Sequence, residues 1–246
     1  MCGQFAIFAG LKSVIEYYNF LKDADFNMDD NIFLNDENDL LNFFQNNDKF
    51  YAQNIIKPMN YFPIIAIINN QVRFFPAKWG LIPFWVKDKK KSELNNMLFS
   101  YDNQTYNEKP RLSDFIDTNF AYKTINARIE TIKEKPSFKY AYKQRRCLIP
   151  FKCFYEKSSA NDKYIFSNPD DCFKSFAGLY EIWKNDIISL TTFTIITTQA
   201  NKYVSNIHDR MPVILNNEKA IKWISYYKDL NYFKNCEETL FMSKIS

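Results

Sequence analysis

The sequence predicts an α+β fold in a single domain whose core is built mainly from strands. Three observations carry this expectation. Short apolar or alternating stretches, rich in β-branched and aromatic residues, recur between turn residues along the chain. Two later segments show helical spacing instead. No internal repeat or linker-like stretch divides the 246 residues, a length sufficient to bury a sizeable core.

Taken in order, the chain opens with MCGQF, and residues 23–50 follow as an acidic, asparagine-rich excursion with apolar positions spaced as in short helices. This reads as a peripheral insertion. The predicted strands lie in FPIIAIINNQVRFFPAKWGLIPFW, RRCLIPFKCFYE, KYIFSN, SFAGLYEIW and TTFTIITTQA. The asparagine pair in IINNQVRFF predicts a hairpin turn. Residues 86–121 are polar and read as a second insertion, with KPRLSDF offering a turn and a short helix. Helices are expected in TQANKYVSNI and in NNEKAIKWISYY, the second capped by Asn217 and carrying Ala220, Ile221, Ile224 and Tyr227 on one face.

Composition narrows the function classes. With 4 glycines and neither GxGxxG nor GxxxxGK[ST], the chain lacks a glycine-rich phosphate loop, and no cofactor is expected. Its five cysteines (Cys2, Cys147, Cys153, Cys172 and Cys236) are odd in number and contain no CxxC, which suits a reducing compartment. One histidine argues against a structural zinc site, so no metal is expected. No signal-peptide pattern and no run of 18 apolar residues occurs, so the expectation is a soluble cytoplasmic protein without membrane contact. A net charge of +4 does not announce a nucleic-acid partner by itself. The basic run at 87–91 reads as a solvated face, whereas Arg145 and Arg146 lead straight into the apolar CLIPF, where phosphate contact is plausible.

Candidate chemistry starts at Cys2. If Met1 is removed, Cys2 carries a free α-amine beside its thiol, a 1,2-aminothiol able to condense with an aldehyde and close a thiazolidine ring. The alternative is an incidental small residue at the start of a strand. TINARIET sets Asn126, Arg128 and Glu130 on one face by strand alternation, either as functional groups or as a solvated face. FKCFYEK ends an apolar run on Glu156, where partial burial raises a carboxyl pKa toward the range useful for proton transfer. The threonines and Asn201 of ITTQAN read as capping groups. NIHDRMPVIL holds the single histidine, His208, either a proton carrier or a structural hydrogen-bonding group.

Taken together, MCGQF, WGLIPFW, NARIET, RRCLIPFKCFYE, FAGLYEIW, FTIITTQAN and IHDRMPVIL resemble, in wording and order, the SRAP family of SOS response-associated peptidases and abasic-site processing proteins. The resemblance runs from the first residue to about 215. It implies a fold of curled, mostly antiparallel, barrel-like sheets with flanking helices, and a cleft for single-stranded DNA containing abasic sites. It further implies Cys2 as nucleophile, Asn126 as the polar group holding the amino terminus or the opened sugar, Glu156 as acid/base, His208 as second proton carrier and Arg128 as phosphate ligand. Trp79, Pro83, Phe84 and Trp85 match the family's apolar wedge, and Arg145 and Arg210 are further phosphate candidates.

Three departures stand out: Gln4 replaces the usual arginine, Lys157 replaces the tryptophan that follows the catalytic glutamate, and the stretch before NARIET is long. The implied activity is a DNA–protein crosslink through a thiazolidine, with lyase action as a side reaction and thiol autopeptidase removal of Met1. A monomer, nucleoid-associated when bound to DNA, is expected. Two rival readings are a thiol peptidase or amidase using Cys2 as an N-terminal nucleophile, and a non-catalytic single-strand nucleic-acid-binding module.

Overall fold

A computed structural model describes residues 3–7, 11–21, 55–88, 118–170, 172–185, 189–234 and 237–245. Cys2, the expected insertion at 23–50 and most of 86–121, including KPRLSDF, lie outside the described residues.

Its central feature is a ring of five strands. The hairpin predicted from IINNQVRFF is present: β3 (Tyr61–Ile68) and β4 (Gln71–Trp79) pair antiparallel with Ile68 opposite Gln71. Asn69 and Asn70 make the turn at φ 52° and 58°, the left-handed pair that a two-residue hairpin of matching twist requires and that asparagine tolerates. From β3 the ring continues through β6 (Arg146–Phe151), β9 (Lys174–Lys184) and β10 (Ser189–Gln199), and it closes where β10 pairs in parallel with β4. The fold is α+β with a closed, mostly antiparallel barrel, as the sequence and its resemblance imply.

A second sheet of five strands runs in the order β13 (Phe241–Ile245), β8 (Lys163–Ser167), β7 (Cys153–Lys157), β1 (Gln4–Ala6) and β2 (Ile55–Ile56). Only Lys152 separates β6 of the barrel from β7 of this sheet, and its backbone N–H donates to Ala6 O at 2.9 Å. The chain thus turns a corner from one sheet into the other, and both share one core. Phe5 of β1 meets Phe62, Trp79 and Phe176 edge-on, while Phe151 stacks on Phe176 at 3.7 Å. Gly178 of β9 lets β6 and β10 pack close on either side of it, because a Cβ there would collide with the Ile149 side chain and crowd Cys147 Sγ and Thr194 O.

Helices lie on the outside: α1 (Leu11–Tyr17), α2 (Thr118–Lys123), α3 (Lys139–Gln144), α4 (Asn217–Ile224) and α5 (Asn231–Lys234). The cap of α4 is Asn216 rather than Asn217, since the Asn216 side chain accepts from Lys219 N at 2.9 Å. Ala220, Trp223 and Ile224 form its buried face, while Tyr227 lies beyond its end and is exposed. In TQANKYVSNI, Thr198 and Gln199 end β10 and residues 202–207 form consecutive turns rather than a regular helix. Asn201 Oδ1 caps them, accepting from the N–H groups of Tyr203 and Val204.

Candidate functional site

β10 organises the site because its C-terminal end is paired on both edges. Carbonyl and N–H groups two residues apart point to the same edge of a strand. On the edge of Phe193, Ile195 and Thr197, the chain receives Gly80 N–H, then β5 (Asn126–Arg128) in parallel register, then Ile129 N–H. On the opposite edge, beyond β9, runs β11 (Arg210–Pro212), with Gln199 opposite Arg210. The NAR and HDRMP stretches, some eighty residues apart in sequence, therefore flank the C-terminal end of one strand: β5 pairs with Ile195–Thr197, β11 with Thr197–Gln199, and the two meet at Thr197. β5 is short: Asn126 is half-buried, Ala127 buried and Arg128 exposed.

Glu130 and Arg210 tie the two edges together. Arg210 Nη1 and Nη2 donate to the two carboxylate oxygens of Glu130 at 2.8 and 2.9 Å, and Nη2 also reaches Thr197 O at 2.8 Å and its Oγ1 at 3.3 Å. Burial works against the charged carboxylate, yet the hydrogen bonds from Arg210 hold Glu130 below the ordinary carboxylate range. Arg210 is therefore engaged within the protein.

His208 stands just before β11. Its Nδ1 lies 2.9 Å from the backbone N–H of Arg210 and 2.8 Å from Asp209 Oδ1. Burial holds the imidazole below its usual pKa, with the Asp209 carboxylate opposing that shift.

Glu156 approaches from the second sheet, on β7, where it is 3% exposed. Burial pushes its carboxyl up to about 7, and the Asp209 carboxylate adds in the same direction. Glu156 and the His208–Asp209 segment thus share one electrostatic environment although they belong to different sheets. The β1–β7 register ends with Gln4 opposite Tyr155, the residue just before Glu156. Lys157, one position on, is exposed and donates to Asn161 Oδ1 at 2.9 Å across the β7–β8 turn.

The WGLIPFW stretch divides into a buried root and an exposed tip. Trp79 is fully buried, donates Nε1 to Ile125 O at 2.8 Å and stacks on Phe193, so it belongs to the core. Thr124 donates its hydroxyl to Leu81 O at 2.6 Å, and Ile82 N–H donates to Thr192 Oγ1 at 2.9 Å. These bonds fix the root against β5 and β10. Pro83 is buried, whereas Phe84 and Trp85 are 49% and 46% exposed. Phe84 packs on Tyr140 of α3 and Trp85 on Phe120 of α2. Arg145, beside them, pairs with Glu181 at 2.7 Å and lies over the Tyr140 ring. Arg146 is 3% exposed, enclosed by Tyr142, Trp223 and Tyr226, and its Nη1 donates to Tyr227 O.

The family model for SOS response associated peptidase (SRAP) matches residues 1–241. The chain belongs to the SRAP family. Among its SRAP relatives, the abasic site processing protein YoaM of Bacillus subtilis (strain 168) is 31% identical over 232 residues, covering 92% of this chain and 79% of its own length. The abasic site processing protein HMCES of Xenopus tropicalis is 28% identical over 173 residues, 61% of this chain and 44% of its own. A crystal structure of a Bacteroides thetaiotaomicron protein superposes with a TM-score of 0.70 at 24% identity, covering all of this chain and 92% of that one, which shows that the fold is shared.

Within this SRAP fold, sequence reasoning missed the Glu130–Arg210 pair and the role of Asp209 beside His208 and Glu156. Opposite charges in NARIET and HDRMP were a visible signal for the first, but pairing them requires knowing that both motifs flank β10. Among the described residues, no group of three His, Cys, Asp or Glu is placed to hold a metal, and no helix is long and apolar enough to cross a membrane.

Proposed function

We propose that this protein processes abasic sites in single-stranded DNA by forming a covalent thiazolidine between Cys2 and the abasic aldehyde, after removal of Met1. The observation that carries the reading is Glu156, a buried carboxyl that burial pushes up to about 7, next along β7 to the residue paired with Gln4 at the start of β1. Cys2 precedes Gln4 by two residues in the sequence. The relatives' names, abasic site processing proteins, support abasic sites as the substrate.

The α-amine of Cys2, with a reference pKa of ~7.7–8.0, is partly unprotonated at neutral pH. Its nitrogen attacks C1′ of the ring-opened sugar, and the carbonyl oxygen takes up a proton to give a carbinolamine. Glu156 in its neutral form supplies the proton with which the hydroxyl leaves as water, and its carboxylate then takes back the proton of the iminium nitrogen, so that the imine remains. The thiol then adds across the imine: sulfur bonds to C1′ and the nitrogen takes the proton. The net change is the loss of one water. An imine left unclosed permits β-elimination, which is the lyase side reaction.

In this reading Asn126 holds the terminal amine or the opened sugar, His208 assists ring opening, and Arg128 takes a phosphate. Phe84 and Trp85 offer stacking faces on the rim, with Pro83 beneath them. Arg145 has a partner in Glu181 and contributes less. The protein would act in the cytoplasm on nucleoid DNA. Removal of Met1 accounts for the "peptidase" of the family description.

The test is purified protein mixed with a single-stranded abasic oligonucleotide, followed by a denaturing gel and intact mass measurement. The expected species is protein lacking Met1 plus oligonucleotide minus one water. Cys2→Ala abolishes it, whereas undiminished adduct with Cys2→Ala overturns the proposal. Turnover of a soluble amide without DNA would favour a thiol hydrolase instead.

A further inference from the structure

Nδ1 of His208 has two neighbours that make opposite demands on it. The Arg210 backbone N–H at 2.9 Å requires a bare nitrogen that accepts; the Asp209 carboxylate at 2.8 Å requires an N–H that donates. One nitrogen of a neutral imidazole does only one of these, and the choice decides which nitrogen carries the ring proton. If Nδ1 accepts from Arg210, the proton sits on Nε2. If Nδ1 donates to Asp209, Nε2 is bare and the Arg210 N–H faces another N–H.

The two neighbours differ in how firmly they are held. The Asp209 side chain is 81% exposed, so water satisfies it as readily as His208 does. The Arg210 side chain is 11% exposed and clamped by Glu130 and by both oxygens of Thr197, while β11 pairs its backbone to β10. Its N–H cannot turn toward water without breaking that clamp, and an unsatisfied, partly buried N–H is costly.

We propose that the Glu130–Arg210 pair is a positioning device for His208: it holds the Arg210 N–H against Nδ1 and so assigns the ring proton to Nε2. The NARIE and HDR motifs are then coupled through one ion pair, and neither Glu130 nor Arg210 needs to touch substrate. The consequence for the abasic-site reaction rests on the reading above. A neutral imidazole protonated on Nε2 donates a hydrogen bond to a sugar oxygen through that nitrogen and does not abstract a proton with it. His208 polarises the oxygen, and Glu156 is left to transfer the proton. The rival state held by Asp209 would make Nε2 a base.

Because His208 is the single histidine in the chain, the tautomer is directly observable. The experiment is nitrogen-15 NMR of histidine-labelled protein without DNA, at a pH where the ring is neutral. The expected spectrum shows Nδ1 unprotonated and Nε2 protonated. Glu130→Ala should shift the tautomer ratio toward Nδ1–H by about threefold to tenfold, the range that loss of one net hydrogen bond gives. Asp209→Asn should leave Nε2 protonated.

Nδ1 protonated in the unaltered protein, or a ratio unmoved by Glu130→Ala, overturns the inference. If Glu130→Ala does not fold, Glu130→Gln keeps one acceptor for Arg210 and should shift the ratio in the same direction by less; no shift there also overturns it. Crosslinking rates on the same samples separate the two readings. A slower rate in Glu130→Ala with single-strand affinity unchanged supports the coupling. No adduct from any sample, with the tautomer as expected, defeats the abasic-site reading and leaves the positioning inference standing.

Discussion

Replacing Glu156 with glutamine should make the protein more stable at alkaline pH while slowing its reaction. The carboxyl rises from 4.5 to about 7 on folding, chiefly because burial disfavours its charged form. At ~1.4 kcal/mol per pKa unit, ionised Glu156 costs the folded state roughly 3 kcal/mol relative to the unfolded chain. Below 4.5 both states are protonated and the group is neutral toward stability. As pH rises, the unfolded chain ionises first and gains, while the folded protein lags until about 7. Stability is therefore lost between 4.5 and about 7 and is level above that.

Glutamine keeps the shape and cannot ionise, so Glu156→Gln escapes this loss. Its melting temperature relative to the unaltered protein should rise by roughly 6–12 °C between about pH 4.5 and pH 8, using ~2–4 °C per kcal/mol for a chain of this size. Thermal melts of both proteins at several pH values across that range measure it. Crosslinking to an abasic oligonucleotide should meanwhile slow by ~10²–10⁴-fold if Glu156 is the sole proton donor. A melting-temperature difference that stays constant across the same pH range would refute the argument, because it would mean that the carboxyl titrates alike in the folded and unfolded chains.

Two further outcomes are expected. Arg128→Ala should weaken binding to single strands with or without a lesion, and the slope of log K against log salt should fall by ~0.7 for the one phosphate that is no longer neutralised; an unchanged slope with folding intact places Arg128 outside the DNA path. Trp85→Ala should lose ~1–3 kcal/mol of single-strand affinity with no change in melting temperature, whereas Trp79→Ala should destabilise the fold by ~3–5 kcal/mol; titrations and melts on both variants decide whether root and tip divide as described.

Much of the fold was legible because local rules act over a few residues. The Asn69–Asn70 turn followed from the φ preferences of asparagine, and the strands from alternation and β-branched enrichment. Where a local rule has two near-equal solutions, sequence reading slipped. Asn216 and Asn217 are adjacent and both can cap, and only the observed bond to Lys219 N separates them. Glu156 was legible as a carboxyl at the end of an apolar run, but the 3% exposure and the neighbouring Asp209 that set its pKa were not.

What the sequence determined by itself is the inventory: strand-forming stretches, one histidine, a cysteine at position 2 and the ordered motifs that mark the family. What only the tertiary structure decided is which charges are paired and which aromatic rings are exposed. Arg210 and Arg128 look equivalent in sequence, yet one is clamped by Glu130 and the other is exposed. Trp79 and Trp85 lie in one motif, yet one is core and the other rim. The physical reason is that solvation and ion pairing depend on distances across β10 and between two sheets, and those distances are set by chain closure rather than by neighbours in sequence.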